Sequence, residues 1–302
     1  MKGADVGNWG RWGEDDERGA LNLVTPEKRV EAAGLIRTGQ VFQLGQNIQA
    51  DGVPMVKDGA RGFWMRPMHL MVYDGGDEAA GVPTRGNDYF SAEDVVGFRI
   101  HGTTTHLDGL AHGWHHGQLY NGYGSAHVNS FGAAKLGIEN VGQVVTRGVL
   151  FDVAGSKGVP SLDEAYPITI EDMRACGTPE LRPGDVALVR TGWYNVYFDD
   201  PARYNGAWPG IDTECAQWLA DQDVCIVGAD TVGVEVLGGS FGKEGFACPV
   251  HGLLIRDHGI HLLELMHLEE LAAAGVTEFC FMMAPLRITG ATASPVNPLA
   301  LI

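Results

Sequence analysis

Between residues 148 and 288, short apolar blocks alternate with short capped helical segments, and this limits the chain to an α/β architecture. Residues 148–154 (GVLFDVA), 185–191 (DVALVRT), 224–230 (VCIVGAD) and 278–288 (EFCFMMAPLRI) read as buried strands. Residues 169–177, 211–222 and 268–275 read as the helices between them. Upstream, Thr25 and Pro26 mark a helix start, and the spacing predicts a helix running to about Arg37 with Gly39 ending it. Residues 41–48 read as a strand, 63–73 (FWMRPMHLMVY) as a β-prone segment in which Pro67 marks an edge strand or a strand boundary, and 75–93 as a long polar loop. No repeat or linker divides the chain, so residues 1–302 are expected to form a single domain with an N-terminal extension over about 1–40.

Composition removes several classes of function. A formal net charge of −17 without a compensating basic block argues against nucleic-acid or anionic-membrane partners. No apolar run reaches the roughly 20 residues a membrane span requires, and the polar N-terminus has no signal-peptide pattern. Five cysteines without a CxxC pair read as reduced thiols, so a cytoplasmic location is expected.

The chemistry concentrates in residues 101–123, HGTTTHLDGLAHGWHHGQLYNGY, which hold five of the eleven histidines and one aspartate. If His106-Leu107-Asp108 is extended, the imidazole and the carboxylate leave one face of the strand while Leu107 points into packing. Glycines at 109, 113 and 117 let the chain turn and return His112 to the same place. Such a set suits a divalent metal carrying an activated water. His101, His106, Asp108, His112, His251 and Glu264 are the candidate metal ligands or proton carriers.

Spacing leaves the mechanism open. Three His/carboxylate ligands suit a hydrolytic Zn²⁺ or Mn²⁺ centre, and equally the HxD…H triad of a non-haem Fe(II) oxygenase. A non-catalytic metal or ligand-binding protein is a third class. Such oxygenases typically sit on all-β jelly rolls, which the interleaved helices oppose. Trp64, His69, Trp114 and Tyr120 are candidate substrate contacts and make a flat aromatic small molecule plausible; Trp193 could also lie near the site. Asp230, at the carboxyl end of its strand, is expected to reach a pocket, or else to cap a turn.

His106-x-Asp108…His112, followed by Gly117-x-x-Tyr120-Asn121-Gly122, resembles the motif H-x-G-T-H-x-D-x-P-x-H of the cyclase-family metal hydrolases. Trp9–Gly13, Gly19–Leu23, Arg190–Trp193, Gly228–Thr231 and the His251…Glu264 segment extend the resemblance along nearly the whole chain. It implies a compact β/β/α mixed-sheet fold, a homodimer or homotetramer, and one or two Mn²⁺ or Zn²⁺ ions per subunit. The implied activity is hydrolysis of an amide, lactam or lactone in a small molecule, as in cyclic amides or arylformamides. By position, His106 and Asp108 match metal ligands, His112 the general acid/base, and His251 and Glu264 the ligands of a second ion. Two departures stand out. The motif's first histidine falls on Gly102, so His101 can serve only if the loop bulges by one residue; and Leu110 replaces the proline.

Overall fold

A computed structural model describes residues 7–49, 67–82, 89–238 and 248–302. Among these residues, nine strands join in one mixed sheet: β1 (Val41–Gln43), β2 (His106–Asp108), β3 (Val144–Asp152), β4 (Val186–Arg190), β5 (Ile226–Ala229), β6 (His261–Glu264), β7 (Glu278–Met283), β8 (Ala293–Pro295) and β9 (Leu299–Leu301). Across the sheet the order is β1-β9-β7-β3-β4-β5-β6-β2-β8. The four central strands β3 to β6 run parallel. The pairings outside them are antiparallel. This is the expected α/β mixed-sheet class, and it is not the all-β jelly roll on which such oxygenases typically sit.

The parallel block explains the apolar runs. Every residue of β4 and β5 is buried, because helices and loops cover both faces, and a strand buried on both sides has no reason to alternate. The helices sit close to their expected places. Thr169 caps Ile170–Ala175 through a reciprocal box with Asp172, and Asp212 caps Thr213–Asp221. Thr25 accepts from Lys28 N as expected, but the helix it starts covers only Pro26–Ala33. It stops because Gly34 is a poor helix residue and the chain tightens there into three-residue turns, Leu35 N to Ala32 O and Ile36 N to Ala33 O. That helix is tied to the sheet by a buried ion-pair chain: Lys28 Nζ stands 2.6 Å from Asp185, and Arg147 bridges Asp185 and Glu278 at 3.2 and 2.6 Å.

Apart from the large sheet, Met68–Tyr73 pairs antiparallel with Glu93–Gly97. The strand starts one residue after Pro67, where the missing N–H no longer interrupts the ladder. Leu70, Val72, Val95 and Val96 remain about half exposed on this hairpin. Part of the expected 75–93 loop is instead a helix, Gly75–Ala79, made by reciprocal capping between Asp74 and Asp77. Among the described residues, no helix is long and apolar enough to cross a membrane.

Candidate metal centre

The site begins with strand register. β6 pairs antiparallel with β2, setting Glu264 opposite His106 and Leu263 opposite Leu107. Directly opposed side chains share a face, so His106 Nε2 lies 3.4 Å from Glu264 Oε2. Asp108, two residues on, joins the same face, with Oδ1 3.6 Å from His106 Nε2. Leu107 and Leu263 point the other way and are fully buried. The His106 Nδ1 atom lies 2.8 Å from Thr104 O. A carbonyl only accepts, so Nδ1 carries the proton and the Nε2 lone pair faces the carboxylates.

His101 and His112 reach the same carboxylate from loops. Gly102, next to His101, stands in the left-handed region at φ 77°. His101 Nδ1 stands 2.9 Å from Asp108 Oδ1, in an alignment that is not a hydrogen bond, while its Nε2 approaches Thr292 Oγ1 at 3.3 Å. After β2 the chain turns at Gly109, whose N–H donates to Thr292 O while its carbonyl accepts from His112 N. The His112 ring stacks on His101, centroids 4.0 Å apart, with Nε2 3.8 Å from Asp108 Oδ2 and the side chain 30% exposed. Leu110, in the place of the motif's proline, is buried in the core.

His251 closes the cluster from a short helix, Pro249–His251, that runs into a π-helical turn, Gly252–Asp257. Its Nε2 lies 3.4 Å from Glu264 Oε1 and 3.8 Å from Asp108 Oδ2, and its Nδ1 lies 2.5 Å from Glu235 Oε1. Burial pushes the Asp108 carboxyl up, but His112 and His101 outweigh it and hold Asp108 well below the usual carboxylate range. Burial and Asp108 likewise raise Glu264 less than His251 and His106 lower it. Burial, with His101 and His251 as like charges, pushes His112 down to about 4 against the pull of Asp108. Burial would lower His251 too, but hydrogen bonding to Glu235 and Glu264 lifts it to about 10.

The cluster fits a cation. His106 Nε2 and both Asp108 oxygens are fully buried yet have no hydrogen-bond partner among the described residues. Leaving a carboxylate in that state is costly unless something positive sits against it. Two donor sets share Asp108, His101–Asp108–His112 and His106–Asp108–Glu264, each with its donor atoms within 4.8 Å of one another. Two atoms about 2.1 Å from one ion and tetrahedrally disposed lie roughly 3.4 Å apart, close to the His106–Glu264 separation of 3.4 Å.

All six of the expected ligand or proton-carrier residues therefore come together. Three of the expected substrate contacts, His69, Tyr120 and Asp230, are engaged with other groups. His69 pairs with Asp94 on the exposed hairpin. Tyr120 is fully buried, its hydroxyl donating to Asp16. Asp230, pushed up by burial to about 6, accepts from Thr191 N, Thr191 Oγ1 and Gly192 N, so its oxygens serve the loop after β4. Trp114 is 53% exposed two residues beyond His112, and Trp193 is buried in a separate core cluster. Trp64 lies outside the described residues. Two groups escaped sequence reasoning. His261 lies 2.8 Å through Nδ1 from the backbone carbonyl of Asp108, and burial lowers it to about 4. Glu235 is a carboxylate inside the apolar run 232–237, VGVEVL, and that isolated charge was its only signal.

A family model described as a putative cyclase matches residues 43–236, more than half of the chain. Isatin hydrolase from Roseibium aggregatum is 29% identical over 128 residues, which make up 41% of this chain; the match spans about half, 47%, of that relative's length. The crystal structure of a protein described as a novel cyclase superposes with a TM-score of 0.89 at 37% identity, covering 99% of this chain and 100% of the other. Isatin hydrolase A from Labrenzia aggregata, bound to benzyl benzoate, shares the fold at a TM-score of 0.60 and 20% identity, over 89% of this chain and 94% of its own.

Proposed function

Because the chain belongs to the putative cyclase family, we propose that it is a metal-dependent hydrolase opening an amide, lactam or lactone bond of a small molecule. The observation that carries this reading is the trio of buried, unpartnered donor atoms, His106 Nε2 and the two Asp108 oxygens. His106, Asp108 and Glu264 would hold an ion, Mn²⁺ or Zn²⁺, with His101 and His251 completing one site or building a second around the shared Asp108. A bound divalent ion supplies Lewis acidity and brings the pKa of water from about 15.7 towards roughly 7.

The remaining chemistry belongs to this chain. His112 is pushed low enough to be neutral at physiological pH, so its Nε2 can accept a proton. Water adds to the substrate's carbonyl carbon and gives its proton to His112. His112 returns that proton to the departing nitrogen or oxygen as the C–N or C–O bond breaks. His101, stacked on His112, keeps that ring at the edge of the cluster beside Asp108. The isatin hydrolases among the relatives favour a cyclic amide fused to an aromatic ring as the substrate class to try first.

The test is turnover by purified protein, loaded with Mn²⁺ or Zn²⁺, of isatin, other lactams, arylformamides and lactones, with metal content measured alongside. Anaerobic hydrolysis of any member supports the reading. A bound ion with no hydrolysis across the panel would favour a binding protein instead, and turnover that needed O₂ would restore the oxygenase. A homodimer or homotetramer is proposed with this activity. The half-exposed apolar side chains of the hairpin offer surface for such contact, and light scattering that found a monomer would remove it.

A further inference from the structure

We propose that Glu235 is a positioning residue for the metal centre, fixing His251 in the one tautomer and orientation that presents Nε2 to Asp108 and Glu264. The inference rests on the metal-dependent reading above and adds a residue that reading does not require. Glu235 is 1% exposed and makes three contacts with one short element. Its Oε1 lies 2.5 Å from His251 Nδ1 and accepts from His251 N at 3.3 Å, and its Oε2 accepts from Val250 N at 3.2 Å. A carboxylate that accepts from both the ring and the backbone sets the ring's rotation as well as its proton. With Nδ1–H committed to Glu235, Nε2 is the ring atom left for the cluster, where a metal would take the place of its proton, as in carboxylate–histidine–metal arrangements.

The backbone is bent to make this contact. Glu235 follows Gly233 at φ 84° and Val234 at φ 59°, a left-handed conformation that a β-branched residue adopts rarely and at a cost. The distorted segment is clamped by Ile211, whose N–H donates to Val234 O and whose carbonyl accepts from Val236 N. Beside it, Gly210 leaves no room even for a methyl group, since a Cβ there would meet Val234 O at 2.4 Å. Strain held this firmly next to a cluster of ionisable groups marks a position that the fold specifies.

Glu235, Cys248 and His251 also lie close enough to hold a cation by themselves. Two features oppose that use. The Glu235 and His251 donor atoms are already spent on each other. The Cys248 thiol, which must ionise to bind a metal, is pushed up to about 12 by burial and by the carboxylates of Glu235, Glu264 and Asp108.

The test measures metal affinity and content on the full chain, by competition with a chromophoric chelator using Zn²⁺ or Co²⁺. The variants are H251A, E235A, E235Q, C248S and the double variant H251A/E235A. H251A should weaken binding. E235A should weaken it about 10- to 100-fold, E235Q less, since its amide oxygen still accepts from Nδ1. Adding E235A to H251A should cost nothing more, because Glu235 acts through the ring, and C248S should bind as the parent does. If H251A leaves affinity intact, the metal-holding role of His251 falls. If H251A weakens binding and E235A does not, or if the two losses add in full, only the inference about Glu235 is overturned. Loss of an ion in C248S would overturn it in favour of a cation site at the cluster itself. Unfolding of each metal-free variant checks folding; should E235A fail to fold, E235Q alone and in the H251A background carries the same comparison.

Discussion

The metal centre has two halves built by different means. His106, Asp108 and Glu264 stand on paired strands, where register alone puts three side chains on one face. His101, His112 and His251 arrive from loops and a short helix, and each leans on something else. His101 depends on the left-handed Gly102, His112 on the turn at Gly109 and the stack with His101, and His251 on Glu235. Strand positions come with the register, although Leu265, directly after Glu264, is itself left-handed at φ 59°. Loop positions lean on particular backbone angles and helper side chains.

If that division is right, damage to the strand half should abolish the site, and damage to the loop half should grade it. Asp108 is common to both donor sets, so Asp108→Asn should have the largest effect. It preserves shape and removes the charge that neutralises a cation, so metal content and turnover should vanish together. A variant that kept its metal and rate would break the comparison at its root. His112→Ala comes next, with turnover falling about 10²- to 10⁴-fold while metal content measured by mass spectrometry stays near that of the parent. Loss of metal in that variant would move His112 from the proton carrier to the ligands.

Metal removal should show in stability as well as in rate. Without a cation, Asp108 and Glu264 are buried carboxylates 0% and 4% exposed, balanced only by histidines. An ion that binds only the folded chain, supplied at about 100 times its dissociation constant, stabilises it by about 2.7 kcal/mol. Thermal unfolding with added Mn²⁺ or Zn²⁺, against a chelator, should therefore shift upward in the parent and not in Asp108→Asn. Equal shifts in both would place the ion elsewhere.

The same division explains what could be read from the sequence. The alternation in His106-Leu107-Asp108 is local and carries the strand half directly. Its pairing with Glu264 is a long-range fact, although both residues were visible as candidates. β8 and β9 went unread because three-residue strands, one ending in Pro295, owe their existence to the partners β2, β7 and β1. Tyr120 was expected to face substrate, yet it serves Asp16, and of the two readings of Asp230, a pocket or a turn cap, its bonds to Thr191 and Gly192 match the cap. A sequence shows that a polar group exists, but not which neighbour consumes it. Glu235 illustrates the converse, since a lone carboxylate in an apolar run could be recognised as purposeful but not assigned a partner. The shifted spacing of His101 was legible, but its 2.9 Å approach to Asp108 beside a left-handed Gly102 was not.

That glycine gives the smallest and most selective test. An L residue in the left-handed region costs roughly 1–2 kcal/mol, so Gly102→Ala should lower stability in urea unfolding by about 1 kcal/mol if the loop keeps its shape. If the loop relaxes instead, the cost falls and His101 leaves Asp108. Either way the strand half is untouched, so His106, Asp108 and Glu264 should still bind an ion, and the loss should be confined to what His101 and its stack with His112 contribute. A Gly102→Ala protein with unchanged stability, metal affinity and turnover would show that the left-handed angle is incidental and that His101 belongs to neither donor set. A variant that lost all metal would show that the two halves are not separable, because the loop would then be holding the strands.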